Sequence, residues 1–322
     1  MRAAYVKAAN PADPLAALVV GERPEPEVPD GWTRVRVRAA SLNHHDLWSL
    51  RGVGLPPERM PMILGTDAAG TTDEGREVIV HAVISSPDWS GDETLDPKRT
   101  LLSELHQGTL ADYVVVPNAN LIEKPANLSF EDAACLPTSW LTAYRMLTRN
   151  GLAPGDTILI QGASGGVASA AIQLGRQLGL RVWATARTEA KRAFALELGA
   201  DAAFEAGARL PQRVDAVIET VGEATWSHSL KALKPGGTIV VCGATSGYNP
   251  PAELNRVFFL QLRVHGSTMG TREELAQLAE LVAATGLKPR IDRALPLAEV
   301  ASGLAALDAG AVLGKVMVSA GG

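Results

Sequence analysis

Thr157-Ile-Leu-Ile-Gln161 runs into Gly162-Ala163-Ser164-Gly165-Gly166-Val167, and a helical stretch follows over 167–178. A short apolar strand, a glycine turn and a helix, in that order, open a βαβ unit. Glycine permits a tight turn and a close approach to phosphate. The N-terminus of the following helix offers unpaired N–H groups and partial positive charge to a pyrophosphate. In the G-x-G-x-x-G/A register Ala163 stands at the first glycine and Ala168 at the last; the second is allowed and the first is a departure. Arg181-Val-Trp-Ala-Thr185 is the next strand and 189–198 the next helix. Asp215-Ala-Val-Ile-Glu219 and Thr238-Ile-Val-Val241 continue the series, and Leu262-Arg-Val-His265 adds an edge strand. Alternating strands and helices with short links predict an α/β fold with a doubly wound parallel sheet of Rossmann type.

The tip of the second strand bears on the choice of dinucleotide. An NAD site places an acidic residue about 20 residues beyond the glycines, on the ribose 2′-hydroxyl. Here the stretch reads Thr185-Ala186-Arg187-Thr188, with Lys191 and Arg192 beyond it. A guanidinium suits a 2′-phosphate that a carboxylate would repel. NADPH is the expected cofactor.

Toward the N-terminus the texture is strand and loop. Thr33-Arg-Val-Arg-Val-Arg38 alternates as a half-buried strand does; Glu77-Val-Ile-Val-His-Ala-Val83 and Tyr113-Val-Val-Val116 are further β-branched runs. Residues 85–107 form a long polar connection of the kind compact domains keep for function. Toward the C-terminus come a helix over 272–284, a proline-rich return, a helix over 297–308 and a strand, Lys315-Val-Met-Val318. The expected division is 1–124 with 266–322 as a β-rich domain, and 125–265 as the cofactor-binding domain.

The bulk numbers are those of a globular chain. The chain has 322 residues, 46% of them hydrophobic, and a formal net charge of −5, which favours neither nucleic acid nor an anionic membrane surface. No secretory signal or membrane-spanning run is read, and the two cysteines, Cys135 and Cys242, are too few for a disulfide framework or a cysteine-rich zinc site. The expected location is the cytoplasm.

Leu64-Gly-Thr-Asp-Ala-Ala-Gly70, Gly108-Thr-Leu-Ala-Asp-Tyr-Val-Val-Val-Pro117, Leu136-Pro137 with Leu141-Thr-Ala-Tyr144, 162–167, Leu198-Gly-Ala-Asp201 and Lys234-Pro-Gly-Gly237 together resemble the medium-chain dehydrogenase/reductase superfamily over nearly the whole chain. The resemblance implies a GroES-like catalytic domain, a Rossmann domain and a cleft holding the nicotinamide. In the zinc alcohol dehydrogenases of that superfamily a cysteine, a histidine and a third cysteine or acid bind catalytic zinc. The matching positions here are Asn43, Thr66 and Thr138, and the cysteines of the structural-zinc loop are missing from 85–92. The chain therefore resembles the zinc-free, quinone oxidoreductase-like members, and no metal is expected. Position by position, the resemblance implies that Gly162, Ala163, Ser164, Gly165, Gly166 and Val167 cradle the pyrophosphate. It sets Arg187 and Lys191 against the adenosine phosphate, Thr142 near the nicotinamide, and Gly243 and Ala244 along the cofactor. It carries His44 and Lys315 to the cofactor phosphates.

Without a Lewis acid, a reductase needs hydrogen-bond donors at the developing oxyanion or an acceptor that is already electrophilic. Quinones and α,β-unsaturated carbonyls qualify. Asn43, His45 and Thr66 are the candidate catalytic residues: an amide donor, a group able to donate a proton near neutral pH, and a residue of the site floor. Asp46 is read as orienting a histidine or holding the loop, and Trp48 and Trp140 as pocket walls or core. The expected function is NADPH-dependent reduction of a quinone or enone. A metal-free carbonyl reductase or alcohol dehydrogenase and a non-catalytic NADPH-binding protein are the alternatives. The apolar run Val257-Phe-Phe-Leu260 beside the edge strand points to a homodimer.

Overall fold

The computed structural model describes residues 1–319. The chain divides into two compact units, Met1–Leu141 with Met269–Gly322, and Thr142–Thr268. The first break falls after Leu141 instead of after residue 124. The reason is packing: the helix Phe130–Ala134 and the π-helical turn Leu136–Trp140 lie on the strands Trp32–Ser41 and Asp67–Thr72, so this stretch buries its apolar face in the first unit.

The second unit is built on six parallel strands. Their order is Ala202–Glu205, Arg181–Ala186, Thr157–Gln161, Val214–Glu219, Leu233–Val241, Arg263–Gly266. Numbered along the chain this is 3-2-1-4-5-6, the Rossmann order, with its switch point between Thr157–Gln161 and Val214–Glu219. Central strands must be apolar on both faces when helices cover both. Thr157–Gln161 is accordingly buried at every position. The helices Gly166–Gln177, Glu189–Glu197 and Glu223–Ala232 supply the crossovers.

The first unit is mainly antiparallel. Its seven-stranded sheet runs Leu121–Glu123, Glu77–Val80, Asp67–Thr72, Trp32–Ser41, Lys315–Ser319, Ile291–Pro296, and Tyr113–Pro117 pairs with the outer half of Trp32–Ser41. Ile291–Pro296 replaces the irregular return expected there. It is an edge strand ending at Pro296, a position where proline's missing N–H costs no ladder bond. Leu42, Val80, Leu110, Leu304 and Val316 belong to one buried cluster that ties the terminal segment to the N-terminal strands.

The long connection 85–107 is held by its own side chains. The Asp96 carboxylate accepts from Ser86 N at 2.7 Å, Ser86 Oγ at 2.6 Å and Lys98 N at 2.7 Å. The segment thus keeps a compact form through an acidic hub. The histidine segment is helical rather than a loop: His44–Leu50 is a helix, and the Asn43 N–H donates to Asp46 Oδ2 at 2.8 Å across its first turn.

Candidate active site

Strand register assembles the polar centre of the first unit. Ser41 faces Asp67 on one side and Met317 on the other, so the continuing chain brings Asn43 alongside Lys315. All four polar residues are buried: Ser41 and Asp67 completely, Lys315 at 2% and Asn43 at 8% exposure. Asp67 Oδ2 accepts from Ser41 Oγ at 2.6 Å, Asn43 Nδ2 at 2.9 Å and Lys315 Nζ at 3.2 Å. The Lys315 ammonium also donates to Asn43 Oδ1 at 2.7 Å and to the Leu42 carbonyl at 2.9 Å, so its three protons meet three acceptors. This corrects the expectation for Lys315. Its charge is turned into the protein, where it compensates a buried carboxylate, instead of toward a cofactor phosphate.

Asn43 is corrected in the same way. Its amide oxygen and nitrogen are both spent on Lys315 and Asp67, so it cannot present its amide directly to a substrate. Its nitrogen also reaches Thr66 Oγ1 at 3.3 Å, and Thr66 Oγ1 lies 3.0 Å from Thr138 Oγ1. Thr66 is buried; Thr138 is half-buried at the turn Leu136–Trp140. Asp46 accepts from Asn43 N and from Gly65 N at 2.9 Å, and burial pushes its carboxyl up to about 6. It holds the first turn of its helix against the Gly65 loop and does not bond a histidine. Trp140 is fully buried, and Trp48 is exposed on 36% of its surface.

His45 Nε2 sits 3.1 Å from Glu104 Oε1, a residue of the long connection. A carboxylate only accepts, so Nε2 carries a hydrogen. Nδ1 is buried with no hydrogen-bond partner among the described residues. Sequence reasoning did not single out Glu104, because nothing local marks a residue near the end of an irregular segment as facing a helix 59 positions earlier. His44 is half-buried. Burial, and then the nearby Lys315 ammonium, lower its pKa below the ordinary imidazole value, so near neutral pH it offers a neutral N–H and not a cation.

In the second unit the glycine turn has the form a dinucleotide needs. Gly162 has φ +78°, the left-handed region that favours glycine. Gly165 caps the helix Gly166–Gln177 with no side-chain hydrogen bond, and a Cβ there would meet nothing within 4 Å. The first N–H groups of a twelve-residue helix thus face an open approach. Ala163 is buried, whereas Ser164, Gly166 and Val167 are half-buried. At the end of Arg181–Ala186, exposed Arg187 and half-buried Lys191 lie near each other: burial and then the Arg187 charge depress the Lys191 ammonium. Two like charges beside a helix start are the arrangement a phosphate monoester relieves. Gly243 and Ala244 follow the strand Leu233–Val241 and are half-buried; Thr142 is buried at the start of this unit.

A second polar network underlies the glycine turn and was not anticipated. Thr185 Oγ1 donates to Gln161 Oε1 at 2.6 Å, and Gln161 Nε2 donates to Ser229 Oγ at 3.0 Å and His228 Nδ1 at 2.9 Å. Ser229 Oγ donates to Glu219 Oε2 at 2.6 Å, while Glu219 Oε1 accepts from Val221 N, Gly222 N and Thr225 Oγ1 at 2.8–3.0 Å. Gln161 and Glu219 end two adjacent parallel strands, and Thr185 is the next-to-last residue of the strand on the other side of Gln161. The signal was present in the sequence as single polar residues closing apolar strands. The network fixes the loops on both sides of the switch point.

The alcohol dehydrogenase GroES-like domain family matches residues 29–126, and the zinc-binding dehydrogenase family matches residues 166–284. The chain is 30% identical to the crotonyl-CoA reductase of Streptomyces collinus, over 92% of this chain and 79% of that protein. Among solved structures, an NAD-dependent alcohol dehydrogenase superposes with a TM-score of 0.93 at 36% identity, covering all of both chains. A 2-octenoyl-CoA carboxylase reductase in complex with NADP and 2-octenoyl-CoA superposes with a TM-score of 0.91 at 26% identity, over 99% of this chain and 87% of that one.

The residues present do not fit a zinc centre. One amide already bound to an ammonium and a carboxylate, and two hydroxyls, are not a zinc-binding set. Among the described residues no three His, Cys, Asp or Glu side chains converge as a metal would require.

Proposed function

The chain belongs to the medium-chain dehydrogenase/reductase superfamily, and on that premise we propose that it is an NADPH-dependent, zinc-independent reductase of α,β-unsaturated carbonyl compounds, with enoyl thioesters of coenzyme A as its substrate class. One observation carries this. Where a Lewis acid would polarise a simple carbonyl, the chain has the hydrogen-bonded set Asn43, Thr66 and Thr138. Hydrogen bonds of that kind suffice for an acceptor that conjugation has already made electrophilic. The crotonyl-CoA reductase and octenoyl-CoA reductase relatives support the thioester over a quinone.

NADPH, when bound, supplies a hydride. The chain's own residues do the rest. The helix starting at Gly166 and the turn Gly162–Gly165 receive the pyrophosphate, and Arg187 with Lys191 receives the 2′-phosphate. Hydride addition at Cβ pushes the π-electron pair onto the thioester oxygen, and Cα then takes a proton. His45 is the candidate donor of that proton, with Glu104 fixing the ring at Nε2.

A reading as a dehydrogenase of simple alcohols has support from the NAD-dependent alcohol dehydrogenase structure. The residues weigh against it: that cofactor is served by an acid where this chain has Arg187. The deciding experiment titrates NADPH and NADH onto wild type and Arg187→Ala, and assays crotonyl-CoA reduction, quinone reduction and ethanol oxidation before and after chelator dialysis. An NADPH preference of about tenfold or more that falls toward parity in the variant is expected. Crotonyl-CoA turnover should survive chelation. Equal cofactor affinity in wild type, or chelator-sensitive ethanol oxidation as the main activity, sinks the proposal.

The same chain is proposed to pair with a second copy. The edge strand Arg263–Gly266 is exposed along its whole length, and its Val264, together with Leu254, Phe258 and Phe259 of the preceding helix, are 48–78% exposed. Strand pairing across a two-fold axis would cover both the open ladder and the apolar side chains. Sedimentation of wild type at micromolar concentration should give a dimer, and a monomer there rejects it.

A further inference from the structure

We propose that the Thr138 hydroxyl is the group that hydrogen-bonds the substrate's carbonyl oxygen, and that a directed chain of hydrogen bonds from the buried Lys315 ammonium polarises it. The inference rests on the reductase reading above and names the residue that meets the developing oxyanion.

The direction of the chain follows from its charged end. Lys315 Nζ can only donate, so the atom of Asn43 at 2.7 Å from it is the amide oxygen. The Asp67 carboxylate can only accept, so the atom of Asn43 at 2.9 Å from it is the amide nitrogen. The asparagine is therefore oriented by two opposite charges and cannot flip without placing like dipoles against both. One amide hydrogen goes to Asp67. The second has Thr66 Oγ1 at 3.3 Å and the Ser41 carbonyl at 3.5 Å, and the shorter contact takes it. Thr66 Oγ1 is then an acceptor toward Asn43; Thr66 is buried and its hydroxyl has no other acceptor among the described residues, so its own hydrogen goes to Thr138 Oγ1 at 3.0 Å. Thr138 in turn is an acceptor toward Thr66. Its remaining hydrogen has no acceptor among the described residues, and Thr138 is the one member of the chain that is not buried.

Each link therefore donates outward, from ammonium to amide to hydroxyl to hydroxyl. Successive donors polarise one another, and the low dielectric around Lys315, Asn43 and Thr66 strengthens every step. The last hydroxyl is a better donor than an isolated threonine. It carries a share of the ammonium's field to a place the ammonium cannot reach. When hydride arrives at Cβ, the two π electrons settle on the thioester oxygen, and the Thr138 O–H bond holds that charge without giving up its proton. The proton that completes the reaction goes to Cα from a separate donor. Lys315, Asn43 and Thr66 are positioning residues in this scheme, and Thr138 is the member of the chain that touches the substrate.

The test compares wild type with Thr138→Val, Thr138→Ala and Thr138→Ser. The direct readout is the carbonyl stretch of crotonyl-CoA labelled with ¹³C at C1, bound to the NADP⁺ form, where no hydride is available. Wild type and Thr138→Ser should show the stretch at lower wavenumber than in solution; Thr138→Val and Thr138→Ala should lose that shift. With NADPH, the Val and Ala variants should lose about 10²-fold in kcat with a much smaller change in KM, and Ser should restore most of it. NADPH affinity, read by titration, should be the same in all four. A wild-type stretch at the solution position overturns the proposal, as does a shift or kcat that survives in Thr138→Val. If the shift behaves as expected while no thioester is reduced, the hydroxyl assignment stands and the substrate class above is what fails.

Discussion

Asp67 and Glu219 are both fully buried carboxylates at strand ends, one in each unit, and they are compensated in different ways. Asp67 has a cation: Lys315 bonds it, with Ser41 and Asn43 completing the set on one oxygen while Oδ1 is buried without a hydrogen-bond partner among the described residues. Glu219 has only neutral donors, two backbone N–H groups and two hydroxyls, spread over both oxygens. The difference separates two tasks. The Glu219 network neutralises its charge locally and fixes loops. The Asp67 network retains an ammonium whose third donor runs on through Asn43 to Thr66 and Thr138, so its charge acts at a distance. Asp46 is an intermediate case, with two backbone donors and no bonded cation.

The largest expected effect comes from removing the cation. Lys315→Met leaves Asp67 buried and uncompensated and should destabilise the first unit by about 3–5 kcal/mol. Denaturant unfolding of Lys315→Met, Asp67→Asn and the double variant measures it. The double variant should recover part of the loss, and additive losses would show that the pair is not coupled.

Next in size is the pH response of Asp46. Its folded pKa, pushed up to about 6 by burial, exceeds the ordinary aspartate value, so the folded state binds the proton more tightly. The stabilisation is complete below about pH 4 and is lost as pH rises through about 6, by at most about 3 kcal/mol. Unfolding free energies of wild type and Asp46→Asn across pH 4–7 isolate it. The wild-type value minus the variant value should fall across that window; a rise has the wrong sign.

Smallest should be Glu219→Gln. Glutamine keeps an acceptor for the loop N–H groups, and Ser229 can turn its hydroxyl to accept from the new amide. A loss of about 1–2 kcal/mol is expected, seen in the thermal midpoint. A loss as large as that of Lys315→Met would erase the contrast between the two networks.

How much was legible follows the reach of each signal. The parallel sheet could be read because its strands are apolar on both faces and its turn needs glycine at 162, and both constraints lie within a dozen residues of sequence. The cation pair Arg187 and Lys191 could be read because the two lie four residues apart, on either side of the Thr188 cap that starts the next helix. His45 could be named but not its partner Glu104, and Lys315 could be named but was sent to the wrong anion. Glu104 lies 59 residues from His45 in an irregular segment, so only the folded chain brings them together; for Lys315, the antiparallel register of Ser41 with Asp67 and Met317 determines which anion it meets.

By itself the sequence determined the strand–helix alternation, the glycine turn, the missing metal-ligand set at Asn43, Thr66 and Thr138, and the basic tip of the second cofactor strand. These are matters of residue identity and local spacing, fixed by steric and hydrogen-bonding rules that act between near neighbours. Only the tertiary structure decided that Lys315 lies buried against Asp67, that Asn43 passes a hydrogen bond toward Thr66 and Thr138, and that Gln161 and Glu219 share a network. The members of each set are separated by tens to hundreds of residues. Which of them meet is set by sheet register and burial, which are properties of the whole fold and not of any segment.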